Sequence, residues 1–154
     1  MKVIFLDIDG VLNSAEWDRH IQSFPYGARF NSCYLLSQEM ILRLQDIVCQ
    51  TGTNIVLISS WRWEPRAFNA LIKQLNLYHL SIEDIVDDSY TRTDEVKNWL
   101  KQHSYLHVTS YVIVDDYDDG FSKDEELSCH YVQPSYEHGL TDEKAAEIIK
   151  ILNM

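Results

Sequence analysis

Three strand-length apolar runs, each closed by polar or acidic residues, constrain this chain more than any other feature. They are KVIFLDID at residues 2–9, NIVLISS at 54–60 and SYVIVDD at 110–116. Strands apolar at successive positions need cover on both faces, the condition of a parallel sheet between layers of helix. The segments between the runs supply the cover. Ser37 is placed to cap a helix that aligns Met40, Leu44, Ile47 and Val48 and closes at Gly52. Pro65 suits the first turn of a second helix, with Phe68, Leu71, Ile72 and Leu75 as its stripe. Thr91 or Thr93 caps a third, burying Val96, Trp99 and Leu100 with Lys97 at the margin. Thr141 to Leu152 reads as a last helix on Ala145, Ile148, Ile149 and Leu152. Short strands are expected through Ile85 and Val86 and within CHYV, and residues 13–36 read as a loop or flap.

Strands alternating with helices of this length predict an α/β fold, a three-layer α/β/α Rossmann-like parallel sheet with right-handed crossovers. With 154 residues, 3 Pro, 5 Gly and no linker, residues 1–154 are expected to form one domain.

A net charge of -11 argues against loose, charge-driven binding to long nucleic acid or anionic membrane and suits a cation. The apolar runs are far short of a bilayer span. The opening run stops at Asp7, without the pattern of a secretory signal, so the protein is expected in the cytoplasm. Cys33, Cys49 and Cys129 form no CxxC pair, and His103 and His107 lack a third ligand nearby, so no zinc site is expected.

In parallel α/β sheets ligands sit at the carboxyl ends of the strands. Asp7 and Asp9, Ser59 and Ser60, and Asp115 and Asp116 all fall there, so they should converge. That many carboxylates repel one another unless a cation is present, and oxygen-only donors suit a hard divalent ion such as Mg²⁺. Asp7 is then a candidate nucleophile that takes up a phosphoryl group. Asp9, one residue beyond, is a candidate general acid and base, and Gly10 permits a sharp turn. Ser59 offers a hydroxyl to a phosphate oxygen, and Lys97 or Arg92 offers positive charge for the transferred group.

These residues carry a resemblance. DIDGVLN at residues 7–13 resembles the first motif of the haloacid dehalogenase (HAD) superfamily of phosphohydrolases. IVLISS resembles the second, with Ser59 or Ser60 in the phosphate-binding position, and VIVDD the fourth, with Asp115 and Asp116 in the metal-binding position and Asp119 as a further candidate. For the third motif, a Lys or Arg before or in a helix, Lys97 matches best and Arg92 is the alternative. The resemblance implies Mg²⁺, an aspartyl-phosphate intermediate, and a metal held by Asp7, Asp115 and the backbone carbonyl of Asp9. DGVLN, SSWR, the pattern at residues 92–100 and GLT at 139–141 are similar to the small HAD-like phosphatases grouped with RNA-repair ("Swiss army knife") proteins. In that likeness Arg62 is a candidate substrate contact. Residues 13–36 and 63–96 leave no room for a folded cap domain. The resemblance therefore implies an open site and a bulky phosphorylated substrate, such as a phosphoprotein or a polynucleotide end. Trp17, Phe24, Tyr26, Phe30 and Tyr34 are candidates for a partial cover.

Overall fold

The computed structural model describes residues 1–25 and 33–154. Five strands, β1 (Lys2–Leu6), β2 (Asn54–Leu57), β3 (Ile82–Ile85), β4 (Ser110–Val114) and β5 (Tyr131–Val132), form one sheet in the order β3-β2-β1-β4-β5. Every pairing is parallel, and β1 lies in the centre with β2 on one side and β4 on the other.

Because side chains alternate across a strand, each apolar run feeds both faces. Ile4, Leu6, Ile55, Leu57, Val112 and Val114 point into one core. They meet α2 (Gln38–Thr51), α3 (Pro65–Asn76) and α5 (Asp142–Leu152) through residues such as Leu44, Leu71 and Ile148. Val3, Phe5, Val56 and Ile113 point into the other, against Val96 and Trp99 of α4 (Arg92–Gln102) and Phe121 of the loop after β4. This is the three-layer Rossmann-like arrangement expected of the sequence. Gly52 ends α2 in the left-handed conformation (φ 66°), and Pro65 opens α3. Ser37 occupies the cap position of α2, yet its side chain makes no capping hydrogen bond. β3 covers Ile82–Ile85, three residues earlier than expected, and Val86 joins the core just beyond it.

The stretch 13–36 is not all loop. α1 spans Ala15–Gln22: the Ser14 hydroxyl accepts from the Trp17 N–H, acids Glu16 and Asp18 sit in its first turn, and Arg19 and His20 in its last. Its only fully buried residue is Ile21, so it lacks the apolar stripe by which a helix is read. Tyr26 and Phe30 of the expected cover lie outside the described residues. Tyr34 packs edge-on against Trp61, with ring centroids 5.6 Å apart. Among the described residues no helix is long and apolar enough to cross a membrane.

Candidate active site

The ladder that makes the sheet also delivers the acids. The Asp7 N–H donates to the Val114 carbonyl (2.9 Å), and Ile58 N–H to that of Leu6 (3.0 Å), so the chain stays in register one residue past each strand. Asp7, Ser59 and Asp115 therefore emerge side by side at the carboxyl edge, at 3%, 0% and 0% exposure. One carboxylate oxygen each from Asp7, Asp115 and Asp116 lies within 4.8 Å of the others.

Gly10 makes this convergence possible. Its backbone is left-handed (φ 75°), and a Cβ there would overlap the Asp116 carboxylate carbon, so only glycine admits that carboxylate so close. Crowding shows in the electrostatics. Burial, then the charge of Asp115, raises the Asp7 carboxyl well above the usual carboxylate range, while Arg92 pulls it back. Asp115 is raised too, chiefly by burial, again with Arg92 opposing. Asp7 Oδ1 is buried with no hydrogen-bond donor aligned on it. A buried oxygen with no aligned donor, crowded by two further carboxylates, belongs to a donor set that fits a hard divalent cation.

Of the two candidate cations, the structure brings Arg92 to the cluster and not Lys97. Arg92 Nη1 lies 2.5 Å from Asp115 Oδ2 and 3.2 Å from Asp7 Oδ1. Lys97 Nζ instead pairs with Asp124 at 2.5 Å and Glu126 at 3.7 Å, on the flank of α4. Helix register explains the difference. Thr91 caps α4, its hydroxyl accepting from the Asp94 N–H, so Arg92 is the first helical residue and stands at the end facing the strand tips. Asp119 fixes that end: its carboxylate accepts from the Arg92 backbone N–H (2.8 Å), and its carbonyl from the Thr93 hydroxyl (2.8 Å). Asp119, a candidate ligand in the sequence, is thus engaged as an anchor of the helix that carries Arg92.

Arg62 also departs from expectation. Its guanidinium pairs with Glu95 at 2.5 Å, both side chains almost wholly buried, and donates to the Ile58 and Ser59 carbonyls. It braces the Ser59 turn from behind rather than reaching outward. Ser59 caps the short 3₁₀ turn Ser60–Trp63 by accepting from the Trp61 N–H, whereas Ser60 is exposed at the start of that turn.

Sequence reasoning did not assign Asn13, Trp61 or Tyr131 to the site. Asn13 Nδ2 donates to Asp9 Oδ1 (2.8 Å), Trp61 Nε1 to Asp9 Oδ2 (3.0 Å), and the Tyr131 hydroxyl to the Asp115 carbonyl (3.0 Å). Asp9 itself is solvent-exposed, beside the buried Asp7. α1 runs close by, since the Asp9 charge adds to burial in raising the Asp18 carboxyl. A groove of about 810 Å³ between α2 and α5 is lined by residues such as Leu42, Arg43 and Ile149 and shares none with this cluster.

The profile of the family described as the HAD domain in Swiss Army Knife RNA repair proteins matches residues 3–145. The chain belongs to that family. No curated protein and no solved structure matches it closely enough to report. The matched span of this HAD domain covers all five strands but for Lys2 at the start of β1, together with the whole acidic cluster, and membership supports a phosphatase-type hydrolase in general terms.

Proposed function

We propose that this HAD domain is a Mg²⁺-dependent phosphomonoester hydrolase that works through a phosphoryl group on Asp7. The observation that carries this reading is the buried Asp7 oxygen without an aligned donor, set between Asp115, Asp116 and the Arg92 guanidinium. Asp7, Asp115 and Asp116, with the Asp9 carbonyl, would hold the ion, which when bound supplies positive charge to the carboxylates and to a phosphate.

The chain's own residues account for the rest. Asp7 attacks phosphorus: an O–P bond forms to its carboxylate as the O–P bond to the leaving alcohol breaks, and Asp9 gives that oxygen its proton. Water then attacks phosphorus and passes a proton to Asp9, the Asp7–phosphate bond breaks, and inorganic phosphate leaves. Ser59 offers its hydroxyl to a phosphate oxygen, with Ser60 and the Gly10 turn at the rim. Arg92 stabilises the charge on the group in transit, the role for which Lys97 was the other candidate.

No cap domain stands between the strand tips and solvent among the described residues, which suits a bulky substrate. The family's description favours a polynucleotide end over a phosphoprotein as that substrate.

The test is an acid quench of the protein during turnover of a radiolabelled phosphomonoester with Mg²⁺. A hydroxylamine-labile label on wild type, absent in Asp7→Asn, is expected together with loss of hydrolysis. Asp7→Asn retaining most activity removes Asp7 from the nucleophile role. Background release from 3'-phosphorylated oligonucleotides, phosphopeptides and sugar phosphates alike, with measurable binding, replaces hydrolysis by phosphate recognition.

A further inference from the structure

Asp9 is exposed, and an exposed aspartate on a turn ordinarily samples several rotamers. Here both its oxygens are held. Oδ1 accepts from Asn13 Nδ2 at 2.8 Å and Oδ2 from Trp61 Nε1 at 3.0 Å. The Asn13 amide has one orientation open to it, because its Oδ1 accepts from the Gly10 N–H (2.8 Å), which can only donate. Its NH₂ must therefore face Asp9. Trp61 is 6% exposed, and its one polar atom is directed at Asp9.

We infer that Asn13 and Trp61 are positioning residues that aim the Asp9 proton at the leaving group. Both are donors toward Asp9 and neither can accept from it there. A proton on Asp9 cannot be shared with its holders and is confined to a lone pair that neither of them occupies. The two holders come from different loops: Asn13 follows β1, and Trp61 lies two residues past Ser59 after β2. Phosphate grip and proton delivery are thereby built on one turn.

This inference rests on the proposed role of Asp9 as general acid, and the experiment separates the two. kcat/KM, which reports the first phosphoryl transfer, is compared for p-nitrophenyl phosphate, whose leaving phenol is acidic and needs little help, and for phenyl phosphate, whose leaving phenol needs a proton. Asp9→Asn should lose roughly 10²-fold or more on phenyl phosphate and much less on the nitrophenyl ester. Trp61→Phe, which keeps the ring and loses the N–H, should show the same selectivity at about tenfold. Asn13→Asp, which keeps an acceptor for Gly10 but faces Asp9 with a carboxylate oxygen, should follow. Equal loss on both esters, or none, in both holder variants overturns the inference while a selective Asp9→Asn leaves the general acid standing. An Asp9→Asn protein without selectivity removes Asp9 from proton transfer and the inference with it.

Discussion

Arg92 Nη1 rests 2.5 Å from Asp115 Oδ2, a guanidinium against a carboxylate with no exposure to solvent. The same nitrogen reaches Asp7, so one cation moderates two buried acids that desolvation would otherwise neutralise. Replacing it should be felt in chemistry more than in folding. Arg92→Ala is expected to lower kcat about 10²–10³-fold with Mg²⁺ present. Lys97→Ala, which breaks an exposed pair on the flank of α4, should stay within a few-fold of wild type. Steady-state kinetics on a generic aryl phosphate decides between them, and the reverse ranking would return the role to Lys97.

Gly10 and Gly52 share a left-handed backbone but not surroundings. At Gly52 nothing lies within 4 Å of a would-be Cβ, whereas at Gly10 the Asp116 carboxylate fills that space. Gly52→Ala should cost about 1–2 kcal/mol through backbone conformation alone and leave activity intact. Gly10→Ala should cost at least as much and in addition weaken Mg²⁺ binding by displacing Asp116. Chemical denaturation combined with a metal titration on each variant separates the two effects.

The buried Arg62–Glu95 pair predicts a stability defect rather than a binding one. Arg62→Ala strands the Glu95 carboxylate in a dry setting, with an expected loss of about 3–5 kcal/mol. Arg62→Met combined with Glu95→Gln should recover much of it, since no uncompensated charge remains. Urea melts measure the recovery.

The raised carboxyls of Asp7 and Asp115 fix the sign of the pH response. Without metal, the folded state holds these protons more tightly than the unfolded chain. Their contribution to stability is complete below the ordinary carboxylate range near pH 4 and is lost as pH climbs toward neutrality. On the proposed binding of Mg²⁺ by these acids, the ion must displace those protons, so its affinity should rise with pH over that window, approaching tenfold per unit where one proton leaves per ion. Thermal melts with and without Mg²⁺ should diverge as pH rises. A metal-induced shift that is flat or shrinking with pH would contradict the assignment of these two acids as ligands.

The strands and their acidic tips were legible because an unbroken apolar run is both a burial signal and a pointer to where the chain must exit. α1 was not, because Ile21 is its sole fully buried residue and its anchors, the Ala15 and Glu16 N–H groups on the Tyr136 and Glu137 carbonyls, come from a distant segment. Arg92 was within reach. Thr91 with Asp94 three residues on is an N-terminal capping pattern, and it places Arg92 at the helix end that faces the strand tips. Lys97 looked better only as a match to the family's third motif, a lone Lys or Arg before or in a helix, which either residue satisfies. The partner of Arg62 was out of reach, since Glu95 lies 33 residues away and no local pattern couples them. The same holds for Trp61 and Asp9, 52 residues apart.

The central place of β1 has a kinetic corollary. The strand that leads into Asp7 is made before the other four, yet its second neighbour pairs Lys2 with Ser110 and Leu6 with Val114. Such sequence-distant pairing is slow, because the entropy of loop closure is lost before any pairing energy can offset it. A nascent chain that has reached α3 carries β1 with one side unmatched, an open template for association with other chains. The acidic centre therefore cannot assemble before β4 and the two acids that follow it have been made, and until then β1 keeps an unpaired edge.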